Sequence, residues 1–256
     1  MNTQIGLEKC LPFISSELQP GGTPPVFARE VPSRLAVTVS RQTGSGAHTV
    51  GEKLAEYLQA HAPKDAPPWQ LFDRDLAEKV LEDHNLPRRL AQFMPEDRVS
   101  EMADALDELL GAHPPSWRLV QQTAETILQL AERGNVILIG RGANIVTSKL
   151  EHVFHVRLIG SLERRVERIQ QLRGVGRKAA LAFIRKEDRG RRRYLKKYFG
   201  QDLDDPRLYH LVINTDLVTF EKAARMIAEA ALSGLHRRTP EAAPDRRVTR
   251  RAEAFL

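Results

Sequence analysis

The chain has 256 residues, of which 41% are hydrophobic, and it carries a formal net charge of +6 at pH 7. A length of this order holds one α/β domain with insertions or two small domains. Cys10 is its single cysteine, which excludes an internal disulfide and a cysteine-based metal cluster and favours a reducing compartment. No apolar run approaches the ~18 residues of a membrane span, and the N-terminus lacks the apolar core of a signal peptide. We therefore expect a cytoplasmic protein with no membrane partner.

The order of apolar runs and helical patterns predicts an alternation of strands and helices. Residues 1–34 are rich in proline and glycine and predict a flexible leader, whereas the arginine-rich residues 234–256 predict a disordered basic tail. Between them, short apolar runs separated by helical patterns are typical of a parallel sheet covered on both faces, the doubly wound α/β arrangement. The predicted strands are Leu35–Ser40, Trp69–Phe72, Val136–Ile139, Val153–Ile159 and Leu211–Ile213. The predicted helices cover about 48–61, segments of 73–134, a helix opening at Ser161, a second stretch to about 199, and about 219–232.

The stretch LAVTVSRQTGSGAHTVG, residues 35–51, is the most informative segment of the chain. Its apolar run breaks at a loop with Gly44 and Gly46 and resumes at helical spacing. Such a strand-to-helix turn aims backbone N–H groups and the helix dipole at one point, which suits a phosphate. The standard pattern G-x-x-x-x-G-K-[ST] is incomplete, because Arg41 replaces its first glycine and Ala47 its lysine. For this loop taken alone, a glycine-rich connection that binds nothing is the alternative.

Charged residues follow three of the predicted strands. They are Arg41, Asp73 with Arg74, and Arg141. Loop residues are usually polar, so each charge taken singly is equally well explained by exposure to solvent. In open α/β sheets, however, ligands bind beyond the carboxyl ends of the strands. We expect these residues to converge on one edge of the sheet and to form part of a binding site.

Two further groups of arginines lie in the second half of the chain. Arg164 and Arg168 are four residues apart on the helix that Ser161 is expected to cap, and a solvated helix face is the favoured explanation of this pair alone. Residues 185–194, RKEDRGRRRY, are more densely charged than a solvated face requires, since like charges repel unless an anion lies among them. Nucleic-acid binding is the competing use of such a segment. The strand-end arginines favour a nucleotide.

Five motifs occur in a fixed order: SRQTGSG followed by a helix, FDRDL, ILIGRGAN, EDRGRRRYLKKYFG and LVINTDLVTFEKA. As a string, covering about residues 35–232, they resemble the cytidylate kinase-like family, which belongs with the P-loop nucleoside monophosphate kinases. The resemblance implies a three-layer P-loop NTPase fold over 35–233, with a parallel five-stranded sheet and helices on both faces. It also implies a helical monophosphate-binding insertion at about 74–134 and a lid at about 173–200.

The resemblance also assigns residues to roles. In this family, a Ser-Arg-Gln-x-Gly-Ser-Gly sequence replaces the usual loop that carries the lysine. The residues of this chain that match it are Ser40, Arg41, Gln42, Gly44, Ser45 and Gly46. Ala47 departs from the pattern, since cytidylate kinases have lysine there and these relatives more often have glycine. In the lid, Asp188 and Arg191 match a D-x-x-R arrangement, and with Arg41 and Arg141 they form the expected catalytic set. On the acceptor side, the monophosphate is expected to contact Asp73, Arg74, Arg141 and Arg191.

The missing lysine requires another cation at the β and γ phosphate oxygens. Arg41 is the best candidate, because its charge is permanent and its fork suits two oxygens, whereas the charge of His48 depends on pH. Lys186 and Arg189 of the lid are alternatives. For Mg²⁺ the candidate hydroxyl ligands are Ser45 and Thr49, and the sequence does not decide between them.

These observations predict a nucleoside monophosphate kinase-like phosphotransferase, which uses ATP or another NTP with Mg²⁺ and a (d)CMP-like acceptor. The predicted nucleotide-binding residues are Ser40, Arg41, Gln42, Gly44, Ser45, Gly46, Ala47, His48, Thr49, Arg164 and Arg168. The alternative is a catalytically impaired nucleotide-binding protein with a regulatory or nucleic-acid-binding role. Small-molecule nucleotides are the expected partners and nucleic acid is the less favoured one. The sequence does not set the oligomeric state.

Overall fold

A parallel sheet of five strands lies at the centre of the described part of the chain. The computed structural model describes residues 35–73, Leu76, Val80, Asp83, His84 and 116–235. The strands are β1 (Ala36–Arg41), β2 (Gln70–Phe72), β3 (Val136–Ile139), β4 (Val153–Ile159) and β5 (Leu211–Asn214), in the spatial order β2-β3-β1-β4-β5. All neighbouring strands pair in parallel. The predicted leader, the predicted tail, Arg74 and most of the predicted insertion at 74–134 lie outside the described residues.

Strand β1 is central because it pairs along its length with two neighbours. Its Ala36 is in register with Val136 of β3 and Val153 of β4. A strand buried on both faces needs apolar side chains on at least most positions, and Val37 and Val39 are fully buried here. Arg41, its last residue, therefore lies at the carboxyl edge of the sheet, between the ends of β3 and β4.

Six helices are described. They are α1 (Ala47–Ala60), α2 (Ser116–Arg133), α3 (Ala143–Val146), α4 (Leu162–Arg173), α5 (Arg177–Phe199) and α6 (Phe220–Leu235). Helices α1 and α6 pack on one face of the sheet, where Leu54 and Ile227 belong to one hydrophobic cluster. Helices α2, α3 and the C-terminal half of α5 pack on the other, around Ile127 and Tyr198. The prediction of a parallel sheet covered on both faces is confirmed.

A separate, smaller cluster joins α4 to the first half of α5. Val166 and Ile169 of α4 pack there against Ala180 and Ile184 of α5. Helix α5 is thus held by α4 at one end and by the sheet at the other. This double anchoring carries the middle of α5 past the loop that follows β1.

The predicted element boundaries agree closely with the structure. Strands β3 and β4 have the predicted ends, and β1 and β5 each end one residue later than predicted. Helix α4 begins after Ser161, whose hydroxyl oxygen accepts a hydrogen bond from the Arg164 amide at 3.4 Å. Across the described ranges, no helix combines the length and the apolar character that a bilayer span requires.

A row of polar side chains crosses β1 and β4 on the face that α5 covers. Thr38 Oγ1 and His155 Nδ1 lie 2.8 Å apart, and Arg157 Nη1 donates to Ser40 Oγ at 3.0 Å. Burial lowers the pKa of His155 to about 4, and the nearby ring of His210 adds to this effect. The imidazole is therefore neutral at physiological pH and serves as a buried hydrogen-bonding group.

Candidate functional site

The loop between β1 and α1 has the backbone of an anion cradle. Gly44 and Gly46 have φ angles of +83° and +84°, the left-handed region that glycine enters without strain. Gly46 immediately precedes α1 and provides no side-chain cap. The first amides of α1, beginning at Ala47, have no intrahelical acceptor, and the helix dipole adds positive potential at the same place. This bend therefore directs N–H groups at a point where the start of a helix favours an anion.

Both loop glycines are also required by close packing. A Cβ on Gly44 would lie 2.7 Å from the carbonyl oxygen of Arg165, and one on Gly46 would fall within the ring of Phe220. The remaining space at the bend is thus bounded by α4 on one side and by the start of α6 on the other. A side chain at either glycine would displace one of these walls.

Internal hydrogen bonds fix the shape of the loop. The carbonyl oxygen of Gln42 accepts from the amide of Ser45 at 3.1 Å and from its hydroxyl at 2.8 Å. The side-chain carbonyl of Gln42 accepts from the Gly160 amide at 3.0 Å, which ties the loop to the end of β4. Gln42 and Ser45 therefore hold the loop in shape from within.

The carboxylate of Asp188 is the point at which α5 meets the loop. Its Oδ1 accepts from the Thr43 amide at 2.8 Å and from the Thr43 hydroxyl at 2.7 Å. Arg165 lies 2.7 Å from Oδ2 and Arg191 2.8 Å from Oδ1. Burial opposes ionisation of this carboxyl, but the hydrogen bonds from Thr43 and Arg191 outweigh it, so the pKa of Asp188 is lowered. The group is an anion that organises two cations around the loop.

Two buried arginines complete this junction. Arg165 donates from Nε to the Gly160 carbonyl at 3.0 Å and from Nη1 to the Thr43 carbonyl at 3.2 Å. Arg191 contacts the Thr43 hydroxyl and lies 3.5 Å from Glu187. Neither guanidinium is more than a tenth exposed.

The sequence patterns did not single out Arg165 and Thr43. The available signal was the position of Arg165 on the apolar side of α4, at helical spacing from Leu162, Val166 and Ile169. A cation in an apolar stripe requires a buried partner. The sequence gives no indication that this partner is Asp188, 23 residues away.

Arg164 and Arg168, which the sequence treats as a pair, have different surroundings. Arg164 is largely exposed and pairs with Glu167 on its own helix at 3.2 Å. Arg168 turns toward the loop, where Nη1 is 3.4 Å from the Gly44 carbonyl and Nη2 is 2.7 Å from the Thr215 carbonyl. Its guanidinium also lies over the ring of Phe220, 5.2 Å from the centroid. Of the two, only Arg168 borders the cradle.

The strand-end charges meet at the carboxyl edge of the sheet. The guanidinium of Arg41 lies against Gly140, where any Cβ would clash with it, and is 3.8 Å from the Asp73 carboxylate. His48, in the first turn of α1, approaches the same carboxylate at 3.4 Å. Arg141 follows β3 with a φ of +58°. Residues distant in sequence are thus gathered on one edge, close to the glycine loop.

Other predicted residues are placed elsewhere. The Ser40 hydroxyl points beneath the sheet, where it accepts from Arg157 and from Tyr209 at 3.2 Å. Arg74 lies outside the described residues. Lys186 and Arg189 are exposed on α5.

The oxygen donors near the loop fit a magnesium ion that is held mainly by phosphates and water. Within the described residues there is no group of three His, Cys, Asp or Glu side chains that could hold a metal. Mg²⁺ commonly needs only one or two protein oxygens in addition to phosphate oxygens and waters. Thr49, half-buried in the first turn of α1, suits this demand better than Ser45, whose hydroxyl is directed to Gln42.

The strand order and the glycine loop at the end of the central strand together define an α/β kinase fold of the P-loop class. Comparison with known proteins narrows this class. The model of the cytidylate kinase-like family matches residues 36–217. The chain belongs to that family, and the known proteins it resembles include several cytidylate kinases.

The chain is similar to two archaeal cytidylate kinases. It is 27% identical to that of Methanocaldococcus jannaschii over 158 residues, which cover 60% of this chain and 88% of the relative. It is also 27% identical to that of Pyrococcus horikoshii over 183 residues, covering 71% and 80%. A crystal structure of an uncharacterized protein from Eubacterium ventriosum superposes with a TM-score of 0.57 at 21% identity, covering 78% of this chain and 99% of the other. This last likeness concerns the fold alone.

Proposed function

We propose that the protein binds a nucleoside triphosphate with Mg²⁺ and transfers the terminal phosphoryl group to a pyrimidine nucleoside monophosphate, CMP or dCMP. The observation that carries this proposal is the junction at Asp188. There one carboxylate joins the glycine loop to α5 through Thr43 and holds Arg165 and Arg191 beside it. A loop held in this way needs little rearrangement when an anion binds, which favours preorganised electrostatic stabilisation.

The donor phosphates are assigned to the glycine bend. Amides of Gly46, Ala47 and His48 open the first turn of α1 and face the bend, and Arg168 borders it. Arg41 supplies the charge that lysine supplies in the standard loop, since its fork suits two phosphate oxygens. Thr49 is the residue proposed to hold Mg²⁺, which would supply positive charge to the phosphates.

The acceptor is assigned to the carboxyl edge of the sheet. Arg41 and Asp73 lie there together, Arg141 follows β3, and Arg74 is adjacent in sequence. In the transfer, an oxygen of the acceptor phosphate bonds to the γ phosphorus while the bond to the β–γ bridging oxygen breaks. Two nucleoside diphosphates result, and the protein contributes positioning and positive charge.

The test is a transfer assay on the purified chain with ATP, Mg²⁺ and each common ribo- and deoxyribonucleoside monophosphate. We expect diphosphate products, with CMP and dCMP the best acceptors. Turnover of a purine monophosphate alone would refute the acceptor assignment and leave the kinase assignment standing. Calorimetric binding of ATP without turnover of any acceptor would refute the kinase assignment.

The second candidate function is a nucleotide-binding regulator without catalysis. Ala47 favours it, because the standard loop has at this position the lysine that reaches the β and γ phosphates. Ala47→Lys separates the two candidates. If the unmodified chain is inactive and Ala47→Lys gains turnover, the protein is a kinase that has lost its lysine. If the unmodified chain is active and Ala47→Lys changes its turnover little, the result supports the role given to Arg41.

A further inference from the structure

Helix α5 carries far more lysine and arginine residues than the ones that contact the loop. It contains ten lysine and arginine residues and two carboxylates, Glu187 and Asp188. Both carboxylates are paired with Arg191, at 3.5 and 2.8 Å. The negative charge of the helix is therefore concentrated on its inner side, toward the loop.

The excess cations lie on the opposite side of the helix. The inner side is marked by buried residues Ile184, Arg191 and Leu195, which contact α4, the loop or the sheet. The exposed cations of the second half of α5, here called the outer stripe, are Arg185, Lys186, Arg189, Arg192, Arg193 and Lys196. At about 100° per residue, the centres of the two sides are roughly 135° apart around the helix axis. With α5 docked as observed, the outer stripe faces away from the glycine loop.

The outer stripe forms a continuous row of positive charge along α5. Arg185 and Lys196 are eleven residues apart, so the stripe is roughly 17 Å long. Arg192 pairs with Asp204 at 3.2 Å, at one edge of the stripe. Like charges at i, i+3 and i+4 spacing repel each other, and an extended row of anions would relieve this repulsion.

We propose that the outer stripe binds the phosphodiester backbone of duplex nucleic acid without reading its sequence. Arginine, which is the commoner cation in the stripe, suits phosphate because its planar fork donates two parallel hydrogen bonds. Backbone contacts of this kind give affinity and orientation but no base preference.

The rest of α5 favours a duplex over a single strand or a lipid surface. Its aromatic residues Tyr194, Tyr198 and Phe199 are buried in the core. The half-buried Phe183 packs against the cluster with α4, and Arg173 covers its ring, so α5 offers no free aromatic platform on which unpaired bases could stack. The apolar side of α5 is packed against α4 and the sheet, so it is not available to enter a bilayer as an interfacial helix would.

The test measures fluorescence anisotropy of two labelled duplexes of unrelated sequence, titrated with the full chain at several salt concentrations. We expect equal affinity for the two sequences and a linear fall of log K with log salt. The triple variant Arg185→Gln, Arg193→Gln, Lys196→Gln should bind at least about tenfold more weakly. Its salt slope should be smaller by about three, one for each phosphate that the variant no longer neutralises.

A matched triple variant removes the same charge elsewhere on the surface. Lys149, Lys222 and Arg225 are exposed and lie outside α5, and their replacement by Gln should leave duplex affinity within about twofold. The charge-preserving changes Arg185→Lys and Arg193→Lys should retain most of the binding, which controls for damage to the helix.

Three outcomes would overturn the proposal. They are an equal loss of affinity in both triple variants, displacement of the duplex by saturating ATP and Mg²⁺, and binding to phosphatidylserine vesicles without binding to the duplex. The first would mean that only net charge matters, the second that the duplex occupies the glycine loop, and the third that the partner is a lipid surface. None of these outcomes depends on whether the chain transfers phosphate.

Discussion

The two sides of the glycine loop are held by contacts of very different quality. On the side of α4 and α5, Asp188 lies 2.7 Å from Arg165 and 2.8 Å from Arg191, and none of these side chains is more than 15% exposed. At the strand edge, Asp73 lies 3.8 Å from Arg41 and 3.4 Å from His48, whose side chain is 61% exposed. One side is a buried network of short contacts, and the other is a group of longer contacts in which only His48 is largely exposed.

This difference indicates which side of the loop is rigid and which side can rearrange. Buried charges with satisfied hydrogen bonds fix a geometry, because separating them leaves an uncompensated charge at low dielectric. Exposed or long ion pairs contribute little to stability and exchange partners readily. We infer that the loop is shaped by the α5 side, while Arg41 at the strand edge is able to exchange Asp73 for a phosphate.

Breaking the buried side should have the largest effect. Asp188→Asn removes the anion between Arg165 and Arg191, and we expect the free energy of unfolding to fall by about 3–5 kcal/mol. The matched control is Asp205→Asn, since Asp205 pairs with the exposed Arg207 at 2.7 Å and its loss should cost much less than the loss of Asp188. Urea denaturation at pH 7.5 measures both, and similar losses in the two variants would contradict the difference between buried and exposed pairs.

The buried polar row that crosses β1 and β4 should be sensitive to acid, and so should the junction at Asp188. The pKa of His155 is lowered to about 4 in the folded state, so its contribution is complete above the unfolded value near 6.5 and is lost as the pH falls toward 4. The full loss amounts to about 3 kcal/mol. The Asp188 carboxylate, whose pKa is also lowered, adds a further loss as the pH falls below the usual range of aspartate.

Urea denaturation between pH 7.5 and 4 measures this acid sensitivity. His155→Gln should flatten the decline between pH 6.5 and 4, whereas His61→Gln, at an exposed site, should leave it unchanged. An unaltered pH profile in His155→Gln would show that this imidazole is not the source of the decline.

Removing the main cation of the strand edge should weaken ligand binding with little effect on stability. Arg41→Ala should reduce ATP affinity by about 1.5–3 kcal/mol, or roughly 10- to 150-fold, because a charge-assisted hydrogen bond to phosphate is removed. Arg41→Lys should recover part of this, and Lys222→Ala, on the surface of α6, should have no effect. Calorimetry with ATP and Mg²⁺ gives the affinities, and an unchanged value for Arg41→Ala would remove this residue from the site.

The smallest effect is expected in a comparison of alanine substitutions at two glycines. Gly46→Ala places a Cβ against Phe220 at a φ of +84°, and we expect a loss of at least about 1–2 kcal/mol in unfolding free energy. Gly176→Ala, before α5, has open space around the new Cβ and a φ of −69°, so it should be nearly neutral. Thermal or urea unfolding of both variants tests this, and equal stabilities would mean that the loop yields easily around Gly46.

Local patterns accounted for much of the fold and for the position of the cradle. β3 and β4 have the predicted ends because short runs of buried apolar residues are bounded by glycine and polar residues. The local sequence also placed the strand-to-helix bend at Gly44 and Gly46. It could not show that the Ser40 hydroxyl belongs to the network beneath the sheet, because that depends on Arg157 and Tyr209.

By itself the sequence determined the alternation of strands and helices, the bend at the two glycines and the family, since each is encoded by neighbouring residues or by a fixed order of motifs. Only the tertiary structure decided which arginines contact the loop. Arg165 reaches the Thr43 carbonyl across 122 residues of sequence, while Arg164, its neighbour in the chain, faces solvent. Helical periodicity separates one side of a helix from the other, but only the docking of that helix determines what each side meets.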